Sequence, residues 1–224
     1  VTMDEIINMM VGRVIYEQPK QHSAVAADAP VVLEVKNLSS KDVHDVSFTL
    51  RKGEILGFAG LMGAGRTETA RLICGADKRS AGSIIVGGIT TDIKSPNDAV
   101  KAGIGYLSED RKQFGLCLPL SVADNVALPS LDMFSGKVVV NDGRVRQVAH
   151  DYRERINIKT PHVDSLVRSL SGGNQQKVVL AKWLVRDCDI LIFDEPTRGI
   201  DVGAKSEIYK LMNQLAAEGK SIIM

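Results

Sequence analysis

The chain has 224 residues, of which 44% are hydrophobic and 25% charged, with a formal net charge of +1. These are the proportions of an ordinary globular protein, and a near-neutral chain has no bulk basic field to gather nucleic acid or acidic lipid. No apolar run approaches the ~20 residues that span a bilayer, and Val1–Met10, with Asp4, Glu5 and no basic start, does not read as a signal peptide.

In chain order, residues 1–16 read as a short helix ending near Gly12, and residues 17–30, polar and bracketed by Pro19 and Pro30, as a linker. A new domain begins near Val31. VVLEV, VSFTL and EILGFA are strand candidates, and the last runs into a glycine-rich loop. A helix follows from about Arg66 to Cys74, stopped by Gly75, and SIIV is a further strand. Ser95, Pro96 and Gly103 punctuate another helix as N-cap, first residue and stop. The stretch from about Leu116 to Arg168 is mostly helical. Ser121 with Asp124 makes a capping-box start, and Val145, Val148, Tyr152 and Ile156 share one face. DILIF is a continuous apolar run of the kind buried in a parallel sheet. Ile208, Leu211, Met212 and Leu215 form an amphipathic stripe, and after Gly219 KSIIM starts a last strand. The order is that of an α/β domain with a helical subdomain inserted in its core. A non-Met start and an end inside a strand suggest a piece of something longer.

Three stretches carry chemistry. In GLMGAGRTE, Gly60, Gly63 and Gly65 let the backbone aim N–H groups at one point, and the next helix adds its positive end. Thr67 can offer a hydroxyl to Mg²⁺. Arg66 stands where a phosphate loop has lysine, so this stretch alone reads equally as a phosphate site or a tight turn. In ILIFDEP, Asp194 and Glu195 emerge at the C-terminal end of a buried strand, where ligands of doubly wound sheets sit. Asp194 could hold Mg²⁺ and Glu195 could orient or deprotonate a water. In LSGGNQQKV, Ser171, Gly172 and Gly173 precede a helix and offer a second anion site.

Together these motifs resemble the ATP-binding cassette (ABC) family over about residues 31–224. GLMGAGRT is similar to its Walker A loop, LSGGNQQ to its signature, ILIFDE to its Walker B strand and RGID, Arg198–Asp201, to its D-loop. SEDRK, INIKTP and DEPTRGIDVGAK look more narrowly like the second nucleotide-binding domain of tandem monosaccharide importers, of the ribose, galactose or xylose type. The resemblance implies an α/β P-loop fold with an antiparallel β subdomain, a helical subdomain over about residues 104–185 and a missing C-terminal part. Residues 1–16, with MMVGR, would close a preceding nucleotide-binding domain.

It also implies ATP at Gly60, Met62, Gly63, Ala64, Gly65, Arg66, Thr67 and Glu68. Mg²⁺ would lie at Thr67, Asp194 and Glu109, with Glu195 as the catalytic carboxylate. Ser171, Gly172, Gly173, Gln175 and Asp201 would face a nucleotide held by another cassette, because such domains pair head to tail. Implied partners are that first domain, permease subunits and, indirectly, a sugar-binding protein, with no nucleic acid, at the cytoplasmic side of the cell membrane. Residues 109–125, with Phe114, Leu116 and Leu118, fall where the family meets its membrane subunit, or else are subdomain core.

This sequence departs from the family at Arg66, at Glu109 in place of the Q-loop glutamine, and before Asp45, where no aromatic residue is available for adenine. The expectation is a slow or silent site of its own beside an intact signature. A nucleotide-sensing dimerisation module and a soluble, non-transport ABC ATPase are the alternatives. Cys74, Cys117 and Cys188 read as reduced, mostly buried thiols, Trp183 as core, and no role attaches to the histidines.

Overall fold

The computed structural model describes residues 25–224 apart from 27 and 137–138. The expected first helix, the MMVGR stretch and most of the linker lie outside the described residues. Two sheets organise the rest. An antiparallel sheet has the order β2-β1-β4-β5, from β1 (Val31–Ser39), β2 (Val46–Arg51), β4 (Ala81–Val86) and β5 (Ile89–Thr90). A parallel sheet has the order β3-β8-β7-β6, from β3 (Ile55–Leu56), β6 (Ile104–Leu107), β7 (Ile190–Phe193) and β8 (Ser221–Ile223).

The helices are α1 (Arg66–Ile73), α2 (Pro96–Lys101), α3 (Val122–Ala127), α4 (Leu131–Phe134), α5 (Asp142–Arg155), α6 (Gly172–Val185) and α7 (Val202–Ala217). The punctuation acts as expected. Ser95 accepts from the Asp98 N–H to start α2, Ser121 and Asp124 cap α3 reciprocally, and Gly75 and Gly219 take positive φ after α1 and α7.

The strand β7 divides the interior. Side chains alternate across a strand, so Ile190 and Ile192 join one apolar cluster with Leu33, Leu50, Ile84, Leu72 and Ile73. Leu191 and Phe193 join the other, with Val122, Val126, Val145, Ala149, Val178, Val179 and Leu215. Each fully buried aliphatic side chain contributes ~1.5–3 kcal/mol, so one four-residue strand anchors both layers and fixes the two acids that follow it.

One feature differs from the sequence expectation, and two more fill it in. Ile104–Leu107 pairs in parallel with β7 instead of opening the helical subdomain, which therefore starts later than residue 104. IGYL is too short an apolar run to separate strand from helix by periodicity. Next, residues Arg111–Gly115 form a π-helical turn. Finally, the thiols are mostly buried, as expected: Cys74 and Cys188 are buried and Cys117, in the loop before α3, is exposed.

Candidate functional site

The strand β3 delivers the chain into the glycine-rich loop, and α1 starts at Arg66 with Gly65 as a left-handed N-cap. Gly63 and Gly65 have φ of 80° and 82°, and a Cβ on Gly60 would lie 2.8 Å from that of Ala64. The first helical bond runs from the Thr69 N–H to the Gly65 carbonyl at 2.9 Å. The N–H groups of Arg66, Thr67 and Glu68 therefore have no acceptor within the helix, and they face outward at its positive end. Met62 and Leu61 stand at the loop tip, 99% and 86% exposed.

The Walker B end of β7 meets this loop. Thr67 Oγ1 donates to Asp194 Oδ1 at 3.0 Å, and Tyr106 Oη on β6 donates to Asp194 Oδ2 at 2.8 Å. Burial and then the Asp194 carboxylate hold the Tyr106 phenol above its ordinary range, so it donates as a neutral group. Glu195 follows with φ 47°, left-handed backbone that costs about 1 kcal/mol or more in a residue other than glycine. Its Oε1 pairs with Arg66 Nη1 at 3.1 Å, and Glu109 pairs with Arg198. The cleft between them measures about 380 Å³ and is lined by residues 62–68, Glu109, Glu195 and Arg198.

These residues fit the ligands that the sequence implies. Three outward N–H groups beside an arginine suit a polyphosphate. A threonine hydroxyl beside a carboxylate supplies the hard oxygens that Mg²⁺ takes. Among the described residues no group of three or more His, Cys, Asp or Glu could hold a metal, so the ion would depend on Thr67, Asp194 and the phosphates themselves. The loop before Asp45 lies against this site, with the Asp42 carbonyl 3.6 Å from where a Gly65 Cβ would stand.

A second cleft, of about 780 Å³, opens at the start of α6 and shares no lining residue with the first. Ser171 is the N-cap of α6, but its hydroxyl accepts from Asn174 Nδ2 at 2.8 Å instead of capping the helix. Asn174 also accepts from the Lys159 N–H at 2.7 Å. Asp201 caps α7 through the Ala204 N–H at 2.8 Å and lines the same cleft with Gly173, Lys159 and Lys177. A Cβ on Gly173 would lie 2.7 Å from that of Ala204, so glycine allows α6 and α7 to approach there.

Gln175 is buried. Its Nε2 donates to the Val167 carbonyl at 3.2 Å and its side chain does not line the cleft; Asn174, one residue earlier, does. Sequence reading missed Tyr106, Asn174 and Lys159. Helical spacing puts residues 174 and 175 about 100° apart, a signal that could have separated the exposed amide from the buried one.

Residues 43–198 match the ABC transporter family, and the chain belongs to it. The chain is 57% identical over its whole length to a putative ribose/galactose/methyl galactoside import ATP-binding protein 1 of Burkholderia lata, of which it covers 44%. It is 50% identical to the ribose import ATP-binding protein RbsA of Lactococcus lactis subsp. cremoris, covering 45% of it. The chain thus spans less than half the length of these curated relatives. Among solved structures, a dimeric ATP-binding cassette in a post-hydrolysis state bound to ADP and Pi superposes with a TM-score of 0.70 at 23% identity, covering 85% of this chain and 86% of that one. At that identity the likeness concerns the fold.

Proposed function

We propose that this chain is the second cassette of a tandem ATPase subunit that drives monosaccharide import, working at the cytoplasmic face of the membrane. Its partners would be a first cassette, permease subunits and, through them, an external sugar-binding protein. The observation that carries this reading is the meeting of Thr67 with Asp194 at 3.0 Å beside the unpaired amides of α1, one cleft away from a separate signature face. The relatives' printed names and the SEDRK and RGIDVGAK stretches support sugar import.

In the first cleft the amides of residues 66–68 would hold the phosphates, and Thr67 and Asp194 would hold Mg²⁺, which supplies charge stabilisation for phosphoryl transfer. Tyr106 fixes one Asp194 oxygen, leaving the other to Thr67 and the ion. Arg66 and Glu195 hold each other, so a phosphate and Glu195 compete for one guanidinium. A planar fork is also a poorer fit than a compact ammonium between two phosphates. We therefore read this cleft as binding nucleotide and turning it over slowly. The second cleft would present Ser171, Asn174 and the start of α6 to the nucleotide of the first cassette. The permease would dock near Phe114, 61% exposed beside a mostly apolar cleft of about 330 Å³ that Trp183 and Tyr106 also line.

Mg-ATP titration by calorimetry tests the reading, with Arg66→Ala as control. Binding in the unaltered chain that disappears in the variant is expected. Equal heats from both would remove the first cleft as a phosphate site.

A further inference from the structure

The proposed reaction leaves Arg111 without a part. It opens the π-helical turn, which Asp110 caps by accepting from the N–H groups of Lys112 and Gln113 at 3.0 Å each. From there its guanidinium crosses to the loop after β7. Nη1 donates to the Arg198 carbonyl at 3.0 Å and Nη2 to the Gly199 carbonyl at 3.4 Å. Two residues before it, Glu109 pairs with the Arg198 side chain. The 109–111 segment thus grips Arg198 by backbone and side chain at once.

The start of α6 is shaped around this grip. A Cβ on Gly172 would stand 2.7 Å from Arg111 Nη2 and 3.0 Å from the Gly199 oxygen. Glycine is needed there to let the guanidinium pass. Nε of Arg111 is buried with no hydrogen-bond partner, and burial lowers the pKa of the group. An arginine held at such a cost must be stabilised by what its fork reaches, here two consecutive carbonyls, and lysine cannot present two donors in that geometry.

We infer that Arg111 and Glu109 form a clasp that makes three pieces move as one: residues 109–111, the loop at 198–199 and the first turn of the signature helix. Arg111 is a positioning residue; it acts on the second cleft through Gly199 and Gly172. Displacement of the 109–125 segment is thereby passed to the loop that leads to Asp201. That the displacing force comes from a membrane partner rests on the function proposed above; the clasp itself does not.

Hydrogen–deuterium exchange on the chain tests the clasp. In Arg111→Ala, peptides covering residues 196–203 should exchange about ten-fold faster, as loss of hydrogen bonds to a charged group implies, while those covering β7 stay unchanged. Arg111→Lys should recover only part of the protection. Gly172→Ala, which evicts the guanidinium, should match Arg111→Ala, and the double variant should be no worse than either. Unchanged exchange at 196–203, or additive effects in the double variant, would overturn it. If Arg111→Ala does not fold, Glu109→Gln, which cuts only the side-chain arm, should still loosen 196–203, and failure to do so counts equally against the clasp.

The second measurement is ATPase activity of the tandem subunit with and without its permease. Arg111→Ala should lose most of the permease stimulation with KM for ATP within about two-fold of the unaltered subunit. A proportional loss of basal and stimulated rates would refute transmission through the clasp. No stimulation in the unaltered subunit would sink the importer reading, with the exchange data still deciding the clasp.

Discussion

Lys182 shows what burial does to a single charge. It lies in α6, 9% exposed, donates to the Gly115 carbonyl and sits 5.1 Å from the centre of the Trp183 ring. Burial pulls its pKa from 10.5 down to about 8. Between those values the unfolded chain holds a proton that the folded chain has released, so stability from this group rises with pH across that window. Below about pH 8 both states are protonated and the cost is constant. Unfolding the protein and Lys182→Met in urea at about pH 7 and about pH 10.5 should show the difference shifting toward the unaltered protein by on the order of 3 kcal/mol. A pH-independent difference would mean that the folded and unfolded states hold the proton equally well, so that Lys182 is better solvated than its burial indicates. Arg66 is the other telling side chain. Its reach to Glu195 gives the substitution a consequence beyond a lost lysine, and Arg66→Lys should weaken that pair and tighten ATP binding, which calorimetry would read directly.

Two local assemblies decide how the elements join. Gly82, the second residue of β4, has φ 94°, and a Cβ there would lie 2.6 Å from the Asn37 carbonyl oxygen and from Leu38 Cα. Those are backbone atoms at the irregularity where β1 shifts register against β4, so nothing flexible can yield. Gly82→Ala should cost about 3 kcal/mol or more, seen as a lowered denaturant midpoint. Asn125 in α3 is fully buried and ties down the preceding loop. Its Oδ1 accepts from the Cys117 N–H at 2.8 Å, and its Nδ2 donates to the carbonyls of Cys117 and Ser121 at 3.0 and 2.8 Å. Asn125→Ala would strand the Cys117 N–H, while the Cys117 and Ser121 carbonyls keep the Leu120 and Asn125 N–H groups, and should destabilise by about 1–3 kcal/mol, with exchange at residues 116–121 rising first. Of the apolar residues in that region, Leu116 is buried and Leu118 packs on the core, so core accounts for both, while Phe114 alone of the three stays at the surface.

For the molecule as a whole the two clefts make unequal predictions. On the proposed function, Ser171→Arg puts bulk and charge into the signature face and should abolish ATP turnover in the proposed tandem subunit. Glu195→Gln alters only the cleft where Arg66 already occupies the acid, and it should leave much of that turnover. Steady-state ATPase assays compare them; equally severe losses would contradict the asymmetry. The elements themselves were largely legible from sequence. Caps at Ser95 and Ser121, the apolar run of β7 and the stripe on α7 are local patterns whose periodicity and punctuation do not depend on distant partners. The residue types at the candidate site were legible too, through the order of the motifs. What sequence alone determined was therefore which chemical groups are present and which elements carry them. Tertiary structure decided their pairing: Arg66 with Glu195, Tyr106 with Asp194, Arg111 across to Arg198 and Gly199, and Asn174 outward while Gln175 turned in. Those pairings join residues up to 129 positions apart, and no periodicity within a window reports a contact that only the packing of α6 and the two sheets around β7 brings into range.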